Sequence, residues 1–355
     1  MAKLATITKD KYSTDPGFRR GRNITIVIVM GLFSILIWFG RDMIIAPEPR
    51  TVMLYCFTGM QEVVEDGIIP AFKDNWQAET GEKLEIVTTF AGSGAIVDKI
   101  ISRFPAEVAI LASPIDAVSL GQQIGAPAKA GKDLPYHGVI ASTPIVMITR
   151  DGNPKGITDF DDLMGPTVDV LIPDPQTSGD GQWGLLAIYG SIAREVNDPD
   201  YALQQTAKVW GKVVSPKSNM RESLQQFQGG VGDVLLIYEA IVAGNETREP
   251  IEGWVVYPAS TILCTHIATS IQKNIVPKQQ ELIDSFIQYL WSEEAQEIFA
   301  NYGLYTAQET SDQPVPRPGV LLDIFNLDDL GGARQIRMDV IGKIIHLAAI
   351  ETLTR

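Results

Sequence analysis

Small, hydroxyl-bearing residues occur at three places in the sequence where an apolar, strand-like run gives way to a helix-like one. These places are FAGSG at 90–94, PDPQTSGDG at 173–181 and SNMR at 218–221. Free N–H groups and the positive end of a helix dipole bind anions at such a point without any formal positive charge. Each segment alone is also typical of ordinary turns and caps. Their joint placement therefore carries the prediction of one anion-binding site.

Four candidate donors follow from this pattern. Ser93 either caps its helix or points its hydroxyl outward, while Ser178 and Gly179 place a hydroxyl and a free N–H at a helix start. Tyr238 directly follows the apolar run 233–237, which puts its side chain at the end of that strand. Ligands of open α/β sheets lie beyond the carboxyl ends of the strands, so we expect these donors to converge.

The elements that position these donors form an α/β pattern. From residue 51 onward short β-branched runs alternate with helical runs, which is typical of βα units and a mainly parallel sheet. The predicted strands are 52–57, 84–89, 107–112, 144–149, 168–172, 233–237 and 253–257.

Two extended apolar segments, 141–149 and 253–263, predict a pair of crossings between two lobes. Lobe one then comprises residues 51–142 and 262–306, and lobe two comprises residues 148–254. We expect the ligand in the cleft between them, since pockets form preferentially at domain interfaces.

A C-terminal extension, residues 307–355, follows this body. It begins with a Pro-rich segment at 309–319 and ends in a predicted helix at about 332–351.

The N-terminus predicts attachment to a membrane. Residues 1–22 hold six cations and two acids, and the uncharged apolar run 23–40 follows them. No convincing cleavage site comes after this run, which favours an uncleaved signal anchor. Because the basic segment stays in the cytoplasm, the body is expected on the outer side of the membrane, periplasmic or extracellular.

Charge excludes one class of function. The 355 residues carry a net charge of −14, and the N-terminal basic segment makes the remainder still more negative. Proteins that bind nucleic acid owe their affinity to clustered cations, so such a partner is not expected.

The sequence lacks the usual signatures of an enzyme or metalloprotein. Ser93 is not preceded by the first glycine of a nucleophile elbow, and the three histidines are far apart. GAPAKAGK at 125–132 has the wrong spacing for a phosphate loop, so any ATPase must be another chain. We therefore expect no catalytic residues, no metal ion and no cofactor.

Cys56 and Cys264 are taken as two buried thiols, with a disulfide as the alternative.

These motifs resemble, in this order, the periplasmic-type solute-binding proteins of ABC importers, in the branch that binds sulfate, molybdate and tungstate. The similarity extends over about residues 52–305 and includes IPDPQTSG at 172–179, close to the sulfate-type IPNPKTSG, and the helix pair around 289–296. It implies the type II periplasmic-binding-protein fold, with two lobes and a ligand cleft. It also implies that an oxyanion is bound by Thr58, Ser93, Ser178, Gly179, Met220 through its backbone N–H, and Tyr238.

The sequence departs from that family at several positions. Tyr238 stands where sulfate-type proteins have tryptophan, and Thr58 stands where they have an aspartate. Asp180 replaces a second glycine, and its carboxylate would repel an oxyanion unless it were turned away or paired, with Arg221 as the expected partner. The segment 301–305 lacks the usual arginine and proline.

The resemblance implies a membrane-anchored receptor that closes on a small oxyanion and presents it to a permease with a separate ATPase subunit. Two alternatives remain open at this point. One is an extracytoplasmic sensor or docking domain that reuses the fold. The other is a receptor for another small solute, such as a phosphonate or ferric ion.

Overall fold

The computed structural model describes residues 30, 49–124, 134–242, 251–311 and 323–354. Residues 50–355 belong to one compact unit. The predicted basic segment 1–22 and anchor 23–40 lie outside the described residues apart from Met30. Within the described part of the chain, every helix is too short or too polar to cross a bilayer.

The described strands are β1 Arg50–Phe57, β2 Leu84–Ala91, β3 Val108–Leu111, β4 Val139–Thr149, β5 Val170–Leu171, β6 Val234–Tyr238, β7 Trp254–Val256, β8 Ser260–Ser270, β9 Tyr305–Thr306 and β10 Asp323–Phe325. They form a mixed sheet in the order β2-β1-β3-β8-β4-β6-β5, with β10 beside β8 and with β7 and β9 beside β4. Parallel pairing joins β1 to β2 and β3, and β5 to β6, while β8 runs antiparallel to β3 and β4.

Helices connect these strands and cover the sheet. The α-helices are α1 Ile69–Thr80, α2 Ser93–Ile101, α3 Pro114–Ile124, α4 Gly179–Val196, α5 Pro199–Trp210, α6 Met220–Gln228, α7 Glu239–Val242, α8 Gln280–Tyr289, α9 Glu293–Asn301, α10 Ala307–Ser311, α11 Ala333–Ile336 and α12 Gly342–Thr354. A π-helical turn at Val63–Ile68 leads into α1, and another at Arg337–Ile341 lies between α11 and α12.

Strand β4 is shared between two sets of strands. Its first part, to Pro144, pairs with β8, and its last part, from Ile145, pairs with β6 and β7. The predicted extended segment 253–263 is two strands, β7 and the start of β8, rather than one. The mixed α/β class is confirmed, and the division into two lobes at these crossings stays a prediction.

The C-terminal extension packs against the body. Strand β10 runs parallel to the start of β8, and Phe325 is buried at 1% exposure. Helix α12 packs on α5, and α11 packs on α3. The predicted helix at 332–351 is therefore α11 and α12 with a π-helical turn between them.

Cys56 and Cys264 are both buried and free. The interpretation of two buried thiols is confirmed.

Candidate functional site

The loops that follow β2 and β5 meet backbone to backbone. The Ala95 N–H donates to the Thr177 carbonyl at 3.2 Å, and a Cβ atom on Gly92 would overlap the carbonyl oxygens of Thr177 and Ser218. Gly92 has φ −61° and ψ 144°, which any residue adopts, so space alone requires glycine there. Gly94 leaves room for the same loop, since a Cβ atom there would lie 2.8 Å from the Gln176 carbonyl oxygen.

Three predicted donors converge on the carboxylate of Asp180, in the first turn of α4. The Ser178 hydroxyl donates to Oδ2 at 3.0 Å, and the Met220 N–H donates to the same oxygen at 3.2 Å. The Tyr238 hydroxyl donates to Oδ1 at 2.7 Å. We call Ser178, Met220 and Tyr238 the donor cradle. Its members come from the N-cap of α4, the start of α6 and the end of β6.

The donor cradle has the properties of an anion-binding site. Its three members and Asp180 are each at most 2% exposed. Hydrogen bonds to an ionised acceptor are about twice as strong as neutral ones, and Asp180 also lies at the positive end of the α4 dipole. The acceptor that the cradle holds in this structure, the Asp180 carboxyl group, belongs to the protein itself.

Asp180 does not pair with Arg221, the partner suggested from the sequence. Asp180 is satisfied by the three neutral donors of the cradle, while the Arg221 guanidinium lies 3.6 Å from the Glu62 carboxylate. Arg221 is half-exposed on the surface, so contact with Asp180 would have required burying its guanidinium.

A second buried carboxylate, that of Asp116, lies beside the first. It accepts hydrogen bonds from Gln182 Nε2 at 3.1 Å and from Ser113 Oγ at 3.3 Å. The Ser93 hydroxyl also hydrogen-bonds Asp116, and it accepts the Ala112 N–H at 3.0 Å. Ser93 is buried, and its hydroxyl contacts Asp116 and Ala112.

Gly179 packs closely against this second carboxylate. A Cβ atom at Gly179 would lie 2.7 Å from Asp116 Oδ2 and 2.7 Å from Ala112 Cβ. No larger residue fits at this position without moving α3 or α4. Gly179 therefore allows the start of α4 to approach Asp116.

Burial sets the protonation of these groups. It raises the pKa of both carboxyl groups above the ordinary range, and the neighbouring carboxylate of Asp116 raises the pKa of Asp180 further. Burial also raises the pKa of Tyr238 and Cys264 well above their usual values. The His266 ring, 5.3 Å from that of Tyr238, has its pKa lowered to about 4 by burial. Tyr238, Cys264 and His266 are therefore neutral around neutral pH.

Thr58 lies beside the donor cradle at the wall of a cavity. Its hydroxyl oxygen is buried and has no hydrogen-bond partner among the described residues. The cavity, of about 210 Å³, is lined by Thr58, Gly59, Glu62, Met220, Arg221, Leu224, Gln225, Gln228 and Ile241. Met220 thus donates its N–H to Asp180 and also lines the cavity. The orphan Thr58 hydroxyl is a free donor for a bound solute.

Asp116 and Gln182 were missed by the sequence reasoning. Asp116 lies in the first turn of the helix that follows β3, and its place after a strand was a usable signal. Gln182 lies one turn into α4, and only the helix geometry shows that it reaches Asp116.

The described residues hold no group of three His, Cys, Asp or Glu side chains placed to ligate a metal ion. His266, two residues after Cys264, hydrogen-bonds the Ala112 carbonyl at 3.1 Å.

Comparisons with known proteins give a consistent result. The sequence model described as "Bacterial extracellular solute-binding protein" matches residues 52–305. A sulfate-binding protein of Salmonella typhimurium is 30% identical over 74% of this chain and 81% of its own. A sulfate-binding protein of Synechococcus elongatus is 28% identical, covering 83% of this chain and 85% of its own.

The fold has a similar solved structure. The sulfate-binding protein SubI from Mycobacterium tuberculosis superposes with a TM-score of 0.69, at 22% identity, over 82% of this chain and 99% of that one. The curated relatives are named as binding proteins, which confirms the expectation of a binding protein rather than an enzyme. It also confirms the resemblance to solute-binding proteins.

Proposed function

Because this chain belongs to the family of bacterial extracellular solute-binding proteins, we propose that it captures a small tetrahedral oxyanion outside the cytoplasm for an ABC importer. The permease and the ATPase of that importer are separate chains. Sulfate is the first candidate solute, because the relatives just described are named for it. Molybdate and tungstate have the same tetrahedral shape and charge, so they belong in the same test.

The observation that carries this proposal is the convergence of the donor cradle on one buried anionic group. Two hydroxyls and one backbone N–H from three separate elements point at the Asp180 carboxylate. Neutral donors of this kind stabilise an oxyanion without a formal counter-charge. Thr58, whose hydroxyl lacks a partner among the described residues, supplies a further donor at the cavity beside the cradle.

The proposal includes the two predicted lobes and the predicted anchor. Residues 51–142 with 262–306 would close against residues 148–254, so that donors from both lobes surround the solute. The apolar run 23–40 would hold the protein at the membrane beside the permease. A tethered receptor meets its permease at high effective concentration.

The test is a binding panel on the full-length chain with sulfate, molybdate, tungstate and phosphate. We expect one of these oxyanions to raise the thermal midpoint, since a ligand at about a hundred times its Kd adds about 2.7 kcal/mol to the free energy of unfolding. No binding of any of them at any pH would contradict the proposal.

The variant Tyr238→Phe links that binding to the donor cradle. The Tyr238 hydroxyl donates to Asp180 in the free protein. In the proposed complex it donates to the solute, so the variant loses one hydrogen bond in each state. The binding free energy then changes only by the difference between the two bonds, about 1 kcal/mol, which lowers the affinity about fivefold. Tyr289→Phe is the matched control, because Tyr289 donates to Glu294 at 2.9 Å instead. Equal affinities in the two variants would contradict a role for the cradle.

A further inference from the structure

The donor cradle already holds a carboxyl group of the protein. Asp180 accepts all three of its hydrogen bonds, and Asp116 accepts hydrogen bonds from Ser93, Ser113 and Gln182 nearby. Among the described residues, no Lys or Arg side chain donates a hydrogen bond to either carboxylate. An incoming oxyanion would therefore meet two negative groups and the same three neutral donors.

We propose that Asp180 couples solute binding to a proton, so that the protein takes an oxyanion together with one hydrogen placed between a solute oxygen and the Asp180 carboxylate. This inference rests on the proposed function. The proton comes from solvent when the oxyanion carries none, as with sulfate. It comes with the solute when the oxyanion has an X–O–H group, as with hydrogen phosphate. No other bond is made or broken.

The physical reason is that two anions in contact inside a buried site repel each other strongly. When two such groups share one site, the pKa of one rises until they hold a single proton between them. A carboxylate has only acceptor atoms, and so does sulfate, so without that proton no hydrogen bond joins the two. With the shared proton in place, the cradle donors can donate to the solute instead, and Asp180 keeps a hydrogen bond to a solute oxygen.

Burial of Asp180 acts in the same direction as the charge of a solute. It raises the pKa of Asp180 even before a solute arrives, and an adjacent oxyanion would raise that pKa further.

Other titratable groups around Asp180 do not account for such a proton. Tyr238 on β6 and Cys264 on β8 have pKa values well above neutral, and His266 on β8 has one of about 4. Asp116 on α3 is the one neighbour whose pKa is shifted in the same direction by burial. The charge of Arg337 acts on Asp116 and favours its ionised form, and Arg221 on α6 pairs with Glu62.

The test is calorimetric titration of the full-length chain with sodium sulfate between about pH 5.5 and 8, in buffers that differ in ionisation enthalpy. Above the pKa that Asp180 has in the free protein, the wild type is expected to take up about one proton per sulfate and to lose about tenfold in affinity per pH unit; below that pKa both effects are expected to disappear. Asp180→Asn is expected to remove the proton uptake and to bind sulfate more tightly at pH 8. Asp116→Asn, the matched control, is expected to keep the uptake.

A second measurement compares two dianions of the same shape at about pH 8, sulfate and hydrogen phosphate. Only hydrogen phosphate carries its own hydrogen, so the wild type is expected to prefer it over sulfate. The preference is expected to fall about tenfold or more in Asp180→Asn. An unchanged preference would overturn the inference.

Two further outcomes separate the inference from the proposed function. Binding of sulfate by the wild type without proton uptake, or an uptake lost in Asp116→Asn but not in Asp180→Asn, would overturn the inference and leave the function standing. Failure of the wild type, Asp180→Asn and Asp180→Gly to bind any oxyanion at any pH would overturn the proposed function, and the inference would fall with it.

Discussion

At the scale of single residues, some neighbours of Asp180 favour its ionised form and others disfavour it. Three hydrogen bonds and the start of α4 favour its ionised form, while burial and the nearby Asp116 disfavour it. Burial has the larger effect, so the pKa of Asp180 is raised. A charge held in this way responds to pH and to any new charge brought beside it.

This balance predicts a pH dependence of stability. The unfolded chain loses the Asp180 proton near pH 4, and the folded protein loses it at a higher pH because burial raises the folded pKa. Within that window the folded state binds more protons than the unfolded state, so stability falls as the pH rises. Urea midpoints measured across the window should fall less steeply in Asp180→Asn than in the wild type.

Asp162→Asn gives a control of opposite sign. Hydrogen bonds from Thr158 and Asp159 lower the pKa of Asp162, so its contribution to stability is present above the unfolded pKa and is lost as the pH falls. Asp162→Asn should therefore lower the urea midpoint at neutral pH and have little effect in acid. Parallel pH profiles for the wild type and Asp180→Asn would contradict this account.

Residue types predicted Ser178 and Tyr238 as donors, and the family resemblance added the Met220 N–H, but neither predicted that Asp180 would be their acceptor. A hydroxyl at an N-cap, an N–H at a helix start and a tyrosine at the end of a strand have directions that the backbone largely determines. The Asp180 side chain has no such constraint, because an acid in the first turn of a helix can face solvent equally well. Only the packed neighbours of α4 show that it turns inward.

At the scale of elements, the loops after β2 and β5 can pack backbone to backbone because Gly92 has no side chain. The backbone of Gly92 is ordinary, so the contact with Thr177 and Ser218 is the only reason for a glycine there. Gly92→Ala should cost about 1–3 kcal/mol in the free energy of unfolding, because a methyl group would overlap two carbonyl oxygens.

Gly211→Ala is the control for that variant. Gly211 also has an ordinary φ of −65°, and its nearest neighbour would lie 3.4 Å from the new methyl group. Urea denaturation of both variants measures the difference. Equal urea midpoints for Gly92→Ala and Gly211→Ala would show that stability does not depend on the close backbone contact between the two loops.

Element positions were well predicted where the apolar period was clear, as in β1 and β6. Predictions were poorer around β4 and β8, because these strands continue through small and hydroxyl-bearing residues such as Ser142 and Thr265 that have no clear period. Their length comes from pairing with each other across the sheet, which a single sequence does not show.

At the scale of the whole molecule, the C-terminal extension joins distant parts of the body. Phe325 of β10 packs against Gly190 of α4, where a Cβ atom would overlap its ring. Phe325→Ala should cost about 3–5 kcal/mol in the free energy of unfolding, because it leaves a cavity beneath β10. Phe104→Ala, at a ring that is 49% exposed, should cost far less, and a similar loss in both would contradict this packing.

On the proposed function, the extension would slow the release of a captured solute. It contacts β8 and α3 on one side of the predicted division and α4 and α5 on the other. Opening of the proposed cleft would therefore require the extension to detach from one of these surfaces, which adds an activation barrier. We expect a long residence time of the solute for a given affinity, and contact with the proposed permease would shorten it.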